Sequence, residues 1–102
     1  MAIKVLIERW IAPGHEAAVL ERLRELRRHA LHQHGYLYGE TWRSLDNPQV
    51  LLVVGAWGTR EHWEAWLKQE FRQKMEAAIN QMLTKPTMIR VFEEATTHPP
   101  SD

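Results

Sequence analysis

The chain has 102 residues, 44% of them hydrophobic, with 13 basic and 13 acidic side chains in formal balance. That length suits one compact domain, and the balance removes the net field that draws nucleic acid or an anionic membrane. With no cysteine there is no disulfide scaffold, thiolate metal site or cysteine nucleophile, and no apolar run has the length of a membrane span or signal peptide, so the reading is a soluble, cytoplasmic protein.

Ile3, Val5 and Ile7 alternate with Lys4, Leu6 and Glu8, which predicts a first strand over about Ala2–Trp10. Pro13-Gly14 marks a turn. From His15 to His34, Val19, Leu20, Leu23, Leu26 and Ala30 recur at three- and four-residue spacings, the apolar stripe of one helix. Gly35 stands where a helix-terminating glycine belongs. Tyr36–Leu45 reads as a second strand, Asp46-Asn47-Pro48 as a hairpin turn and Gln49–Trp57 as a third strand. Thr59 is placed to cap a following helix. The phase of Trp63, Trp66, Leu67, Phe71, Met75, Ala78, Ile79 and Met82 predicts one long helix, or two short ones meeting near Gln69. Lys85-Pro86 ends it, and Thr87–Glu94 alternates as a fourth strand. Residues 1–95 form a single domain in this reading, and the polar, proline-containing segment 96–102 is a disordered tail.

The order β-α-β-β-α-β predicts an α+β, ferredoxin-like layer of antiparallel sheet with its helices on one face. Val50–Val54 is apolar on both faces of its strand, yet helices cover only one. The other face would be a large exposed apolar patch, and a second copy of the chain is the simplest cover, making the expected partner a homodimer. Five tryptophans, three of them within Trp57–Trp66, exceed what so small a core readily absorbs. Some of them should wall a cavity for a small planar aromatic ligand, or an interface.

Gly35-Tyr36 and Gly39-Glu40 on the second strand, the apolar strand ending in Trp57, and the helix entry carrying Trp63 and Trp66 together resemble the antibiotic biosynthesis monooxygenase (ABM) domains. The resemblance runs from about Ile3 to Glu94. It implies a dimeric α/β barrel in which two sheets face each other, and cofactor-independent oxygenation of a quinol or polyphenol, with haem degradation as a branch of the family. Within that frame Trp57, Trp66 and Tyr38 are candidates for substrate binding, and Glu40, His62 and Arg90 for catalysis. Trp63 reads as core rather than pocket. Glu40–Arg90 and Glu8–Arg90 are candidate pairs inside the barrel.

Haem-degrading relatives carry a ligand histidine in the phase that Met75 or Glu76 occupies here, and an asparagine where this chain has Ile7-Glu8. The resemblance therefore implies no haem chemistry and no cofactor. His29, His32 and His34 fit a solvated helix end better than a metal site, and His62 fits an exposed first helical turn or a pocket contact. The competing readings are a non-catalytic small-ligand- or haem-binding dimer, a haem-degrading monooxygenase without the usual ligand histidine, and a structural dimer whose tryptophans are all core.

Overall fold

Alternation in the first strand survives folding intact. In the computed structural model of the chain, which describes residues 1–97, β1 (Ile3–Trp10) buries Ile3, Val5, Ile7 and also Arg9, and turns Lys4, Leu6, Glu8 and Trp10 the other way. Pro13-Gly14 then reverses the chain, with Gly14 at φ +86°, a left-handed conformation that costs glycine little. In α1 (Glu16–Ala30), Val19, Leu23, Leu26 and Ala30 form the buried stripe. Glu16 lies in the first turn and Arg27, Arg28 and His29 in the last, each matched to the helix dipole. The helix stops four residues short of His34, and turns carry the chain to Gly35 at φ +83°. A side chain on Gly35 would run into the His62 imidazole, so the position is closed by contact as well as by dihedral.

β2 (Tyr36–Arg43) and β3 (Val50–Trp57) form the hairpin. Its turn is organised by Asn47, whose Oδ1 accepts from the Gln49 amide at 3.1 Å while its own amide donates to Ser44 Oγ at 3.1 Å. Thr59 caps α2 (Arg60–Leu67), its Oγ1 accepting from the His62 amide at 3.2 Å. The tryptophan helix is two helices. Gln69 is extended at the junction, and α3 (Glu70–Asn80) starts in a new phase that buries Arg72, Met75, Glu76 and Ile79. β4 (Met88–Glu93) completes the sheet.

The strands run in the order β2-β3-β1-β4, every pair antiparallel, which is the ferredoxin-like arrangement. All three helices share one core with the face bearing Ile3, Val5 and Ile7. The opposite face is open. Leu6 lies there between Val54 and Arg90, and Lys4 between Ala56 and Phe92. Tyr38, Trp42, Met88 and Phe92 are exposed upon it. No helix among the described residues is long and apolar enough to cross a membrane. Of the expected tail at 96–102, residues 98–102 lie outside the described residues.

Candidate functional site

The sheet register builds a cavity floor in layers. Tyr36 pairs with Trp57, Gly39 with Gly55, Thr41 with Val53, and Val5 and Ile7 continue the last two layers on β1. Two glycines in one layer remove the side chains that would otherwise fill the space over the floor. Gly55 holds an ordinary strand conformation, so an added Cβ would meet only Trp57 Nε1 at 3.7 Å. Gly39 is less free, since a Cβ there would lie 2.5 Å from the Tyr36 hydroxyl. The result is a cavity of about 70 Å³ between sheet and helices.

Its aromatic wall is a cluster centred on Trp57. Trp66 stacks on it at a centroid distance of 6.4 Å, Trp63 meets it edge-on at 6.0 Å and Tyr36 edge-on at 5.1 Å. Such pairs contribute about 0.5–1.5 kcal/mol each beyond burial. Trp57, Trp63 and Trp66 are 2%, 3% and 5% exposed. The expected division between a structural Trp63 and a pocket Trp66 has no counterpart in burial, because α2 lays both rings against the cavity.

The other end of the cavity is charged. Arg9, Arg72 and Glu76 line it and are all buried. Glu76 Oε1 accepts a hydrogen bond from Arg9 Nη2 and lies 3.6 Å from Arg72 Nη2. The Arg72 guanidinium also sits 5.1 Å from the centroid of the Trp63 ring, a cation–π contact. Desolvation by burial lowers the pKa of both arginines, and the Glu76 charge opposes that shift. Arg9 Nε is buried without a hydrogen-bond partner.

Arg27 and Thr41 are the exposed lining residues and mark the mouth, between α1 and β2. Arg27 Nη2 donates to Thr41 Oγ1 across it at 3.3 Å. Tyr36 stands beside this strap, and burial raises its pKa above the ordinary 10.0, with Arg27 pulling the other way.

Trp57 and Trp66 are thus brought together at the cavity. Tyr38, Glu40 and Arg90 are on the open face of the sheet, away from it. Glu40 on β2 and Arg90 on β4 are separated by β3 and β1, too far apart to pair. Arg90 lies instead 3.8 Å from Glu8, which also accepts from Trp10 Nε1 at 2.7 Å. His62 is half-buried at the Gly35–Gly58 corner, its Nδ1 3.0 Å from Thr59 Oγ1 and its ring edge-on to His34. His29 stacks on Phe71.

The residues in the ligand phase do not fit haem. Met75 is buried with its sulfur accepting from Arg22 Nη1 at 3.7 Å, and Glu76 is committed to two guanidiniums. A cavity of about 70 Å³ does not admit a porphyrin. Among the described residues, no group of three or more His, Cys, Asp or Glu side chains is placed to hold a metal ion.

The sequence signal for the charged end lies in phase rather than in a motif. Arg9 follows Ile3, Val5 and Ile7 on the buried side of β1. Arg72 and Glu76 lie four apart on the buried side of α3.

Fold and site together define a ferredoxin-like α+β protein with an aromatic cavity between sheet and helices. The chain belongs to the antibiotic biosynthesis monooxygenase family, whose sequence pattern it matches over residues 2–78. Among solved structures it is similar to a conserved protein of Methanosarcina mazei Go1, at 17% identity and TM-score 0.88, covering 93% of this chain and 94% of that one. SnoaB, a cofactor-independent oxygenase from Streptomyces nogalater, superposes at 13% identity and TM-score 0.83, covering 97% and 98%. A Mycobacterium tuberculosis protein does so at 14% identity and TM-score 0.85, covering 97% and 100%. No curated protein matches the chain by sequence.

Proposed function

We propose that the protein is a cofactor-independent monooxygenase that oxygenates a quinol or polyphenolic ring, working as a homodimer. The observation that carries this reading is the cavity walled by Trp57, Trp63 and Trp66, buried under the helices yet reached from solvent past Arg27 and Thr41. Family membership supports it, as does the shared fold with a cofactor-independent oxygenase. In this chemistry the substrate supplies the electrons. A phenol and dioxygen give a quinone and water, one oxygen atom being retained and the other leaving reduced. The protein has only to hold the ring, exclude water and stabilise the oxyanion. Trp57, Trp66 and Trp63 hold the ring, and the guanidiniums of Arg9 and Arg72 give the far end of the cavity donors for an anionic group of the substrate.

The homodimer is argued from the open face, where half-buried Leu6, Leu52 and Val54 adjoin exposed Tyr38, Trp42, Met88 and Phe92. Soluble monomers rarely leave so much apolar surface uncovered. In this reading Tyr38, Glu40 and Arg90 belong to the surface between copies, and His62 orders the Gly35–Gly58 corner.

A second reading, a non-catalytic binding dimer, is favoured by one observation. Glu76, the only carboxylate among the described lining residues, is tied to two arginines, so the wall offers no free base. Oxygen-electrode assays with a panel of quinols and polyphenols, without added metal or flavin, decide between the two. One dioxygen consumed per substrate, diminished by Trp66→Ala, is the expected result. Saturable ligand quenching of tryptophan fluorescence with no uptake above buffer would leave only the binding dimer.

A further inference from the structure

The two ends of the cavity differ in what they lack. The aromatic end is complete, with each ring packed on another. The charged end is not. Arg9 and Arg72 are 2% and 4% exposed, and among the described residues Glu76 is the only carboxylate within ion-pair distance of either. Two guanidiniums against one carboxylate leave one positive charge in excess, in a place where an uncompensated charge is costly. The hydrogen bonding is short by the same measure. Glu76 engages Arg9 through Nη2, while Nε of that guanidinium is buried with no partner. Buried N–H donors are nearly always satisfied, and a guanidinium presents its donors as a fork matched to a carboxylate.

We infer that the charged end is a subsite for one carboxylate, carried by a single-ring aromatic acid whose ring lies against the tryptophan wall. The excess charge and the unpaired Nε call for the same thing, one anion with an oxygen acceptor. A carboxylate carries its charge at neutral pH in the ground state, whereas a phenol is then neutral, so only the acid meets a standing positive charge. Size bounds the ring count. At about 70 Å³ the cavity is well below the roughly 300–1,000 Å³ of pockets for drug-sized ligands and below the roughly 150 Å³ that encloses one benzene, so more than one ring is excluded and a single ring occupies the open mouth as well as the cavity. This assignment rests on the cavity being the substrate site and narrows the proposed substrate to a phenolic aromatic acid.

The test is a tryptophan-fluorescence titration of the wild-type protein with para-hydroxybenzoate and with its neutral isostere para-hydroxybenzamide. The acid should bind at least about tenfold more tightly, the margin one charge-assisted hydrogen bond supplies. Arg72→Gln leaves a neutral Arg9–Glu76 pair and removes the excess charge. In that variant the preference for the acid should collapse while amide affinity holds within about threefold, under the roughly 1 kcal/mol of a neutral contact. Equal binding of acid and amide by the wild type overturns the subsite, whether or not Arg72→Gln folds. So does an equal loss for both ligands in a folded Arg72→Gln, which marks Arg72 as packing. Binding of neither ligand also overturns it. Quinol turnover in that case would leave the oxygenase reading standing, and its absence would remove both.

Discussion

Gly55→Ala separates a cavity kept open by design from one left by loose packing. Gly55 sits on the third strand, at a backbone conformation any residue adopts, and a methyl there meets nothing closer than Trp57 Nε1 at 3.7 Å. Replacing a strand glycine by alanine at such a site stabilises by about 0.4–1 kcal/mol through the unfolded chain alone. Burying one methyl adds up to about 0.8 kcal/mol. Taking the lower part of that range, about 1 kcal/mol, the midpoint of thermal unfolding should rise by about 4–8 °C for a domain of this size. Protein concentration must be held fixed across the comparison, because the midpoint of the proposed dimer would depend on it. The same methyl occupies part of a cavity of only about 70 Å³, so a ligand that reaches the tryptophan wall should bind more weakly. Calorimetry and fluorescence titration on one preparation read both effects. A lowered midpoint, or an unchanged one with undiminished ligand affinity, would show that the space over Gly55 is not the binding cavity.

Glu76→Gln leaves Arg9 and Arg72 facing each other under the helices without their anion; urea unfolding should show a loss of about 3–5 kcal/mol. Val54→Asp puts a charge on the open face opposite Leu6 and Glu40, and sedimentation should show the wild type near twice 12.0 kDa and the variant near 12.0 kDa. Val53→Asp, on the cavity side of the same strand, should instead lower stability in urea unfolding, because Val53 is half-buried against the core under the helices and a charge there is partly desolvated without a partner. Tyr36 has a folded pKa raised above 10.0 by burial, so the folded state holds its proton longer than the unfolded chain does. The stability associated with that proton is present below pH 10 and is lost as pH rises through the folded pKa. Melting curves recorded upward from about pH 9 should fall more steeply for the wild type than for Tyr36→Phe.

Element order, the faces of β1 and the Thr59 cap are legible from local pattern, because each depends on residues within one turn or one strand. Two features are not. The first is the phase of α3. The expected stripe holds Phe71, Met75, Ala78, Ile79 and Met82 with a possible break near Gln69; the break is there, and Met75 and Ile79 are buried, but α3 buries Arg72 and Glu76 beside them in place of Phe71 and Ala78, which are half-buried. The second is the bulge in β2. Tyr36 pairs with Trp57 and Tyr38 with Ala56, so two steps on β2 match one on β3. Two tyrosines spaced two apart would ordinarily share a face. The bulge puts Tyr36 on the cavity and Tyr38 on the open face, and nothing in local composition distinguishes them.

The charged end of the cavity was hidden for a related reason. Polar residues on strand faces left free by the core stand out in the pattern, and here Glu40, Glu8 and Arg90 do so on the open face. Arg9 lies in strict alternation with Ile3, Val5 and Ile7, where the hydrophobic pattern demands an apolar side chain. An arginine there stands against the desolvation of its guanidinium and persists only with an anion to meet it. Its partner comes from α3, sixty-seven residues on, and no local pattern connects the two. A charge in phase with the core is a stronger pointer to a site than a charge on an open face, because the fold has to supply it with a counter-ion. Here Glu76 supplies one carboxylate for two such charges, and what remains is the imbalance from which an anionic ligand is inferred.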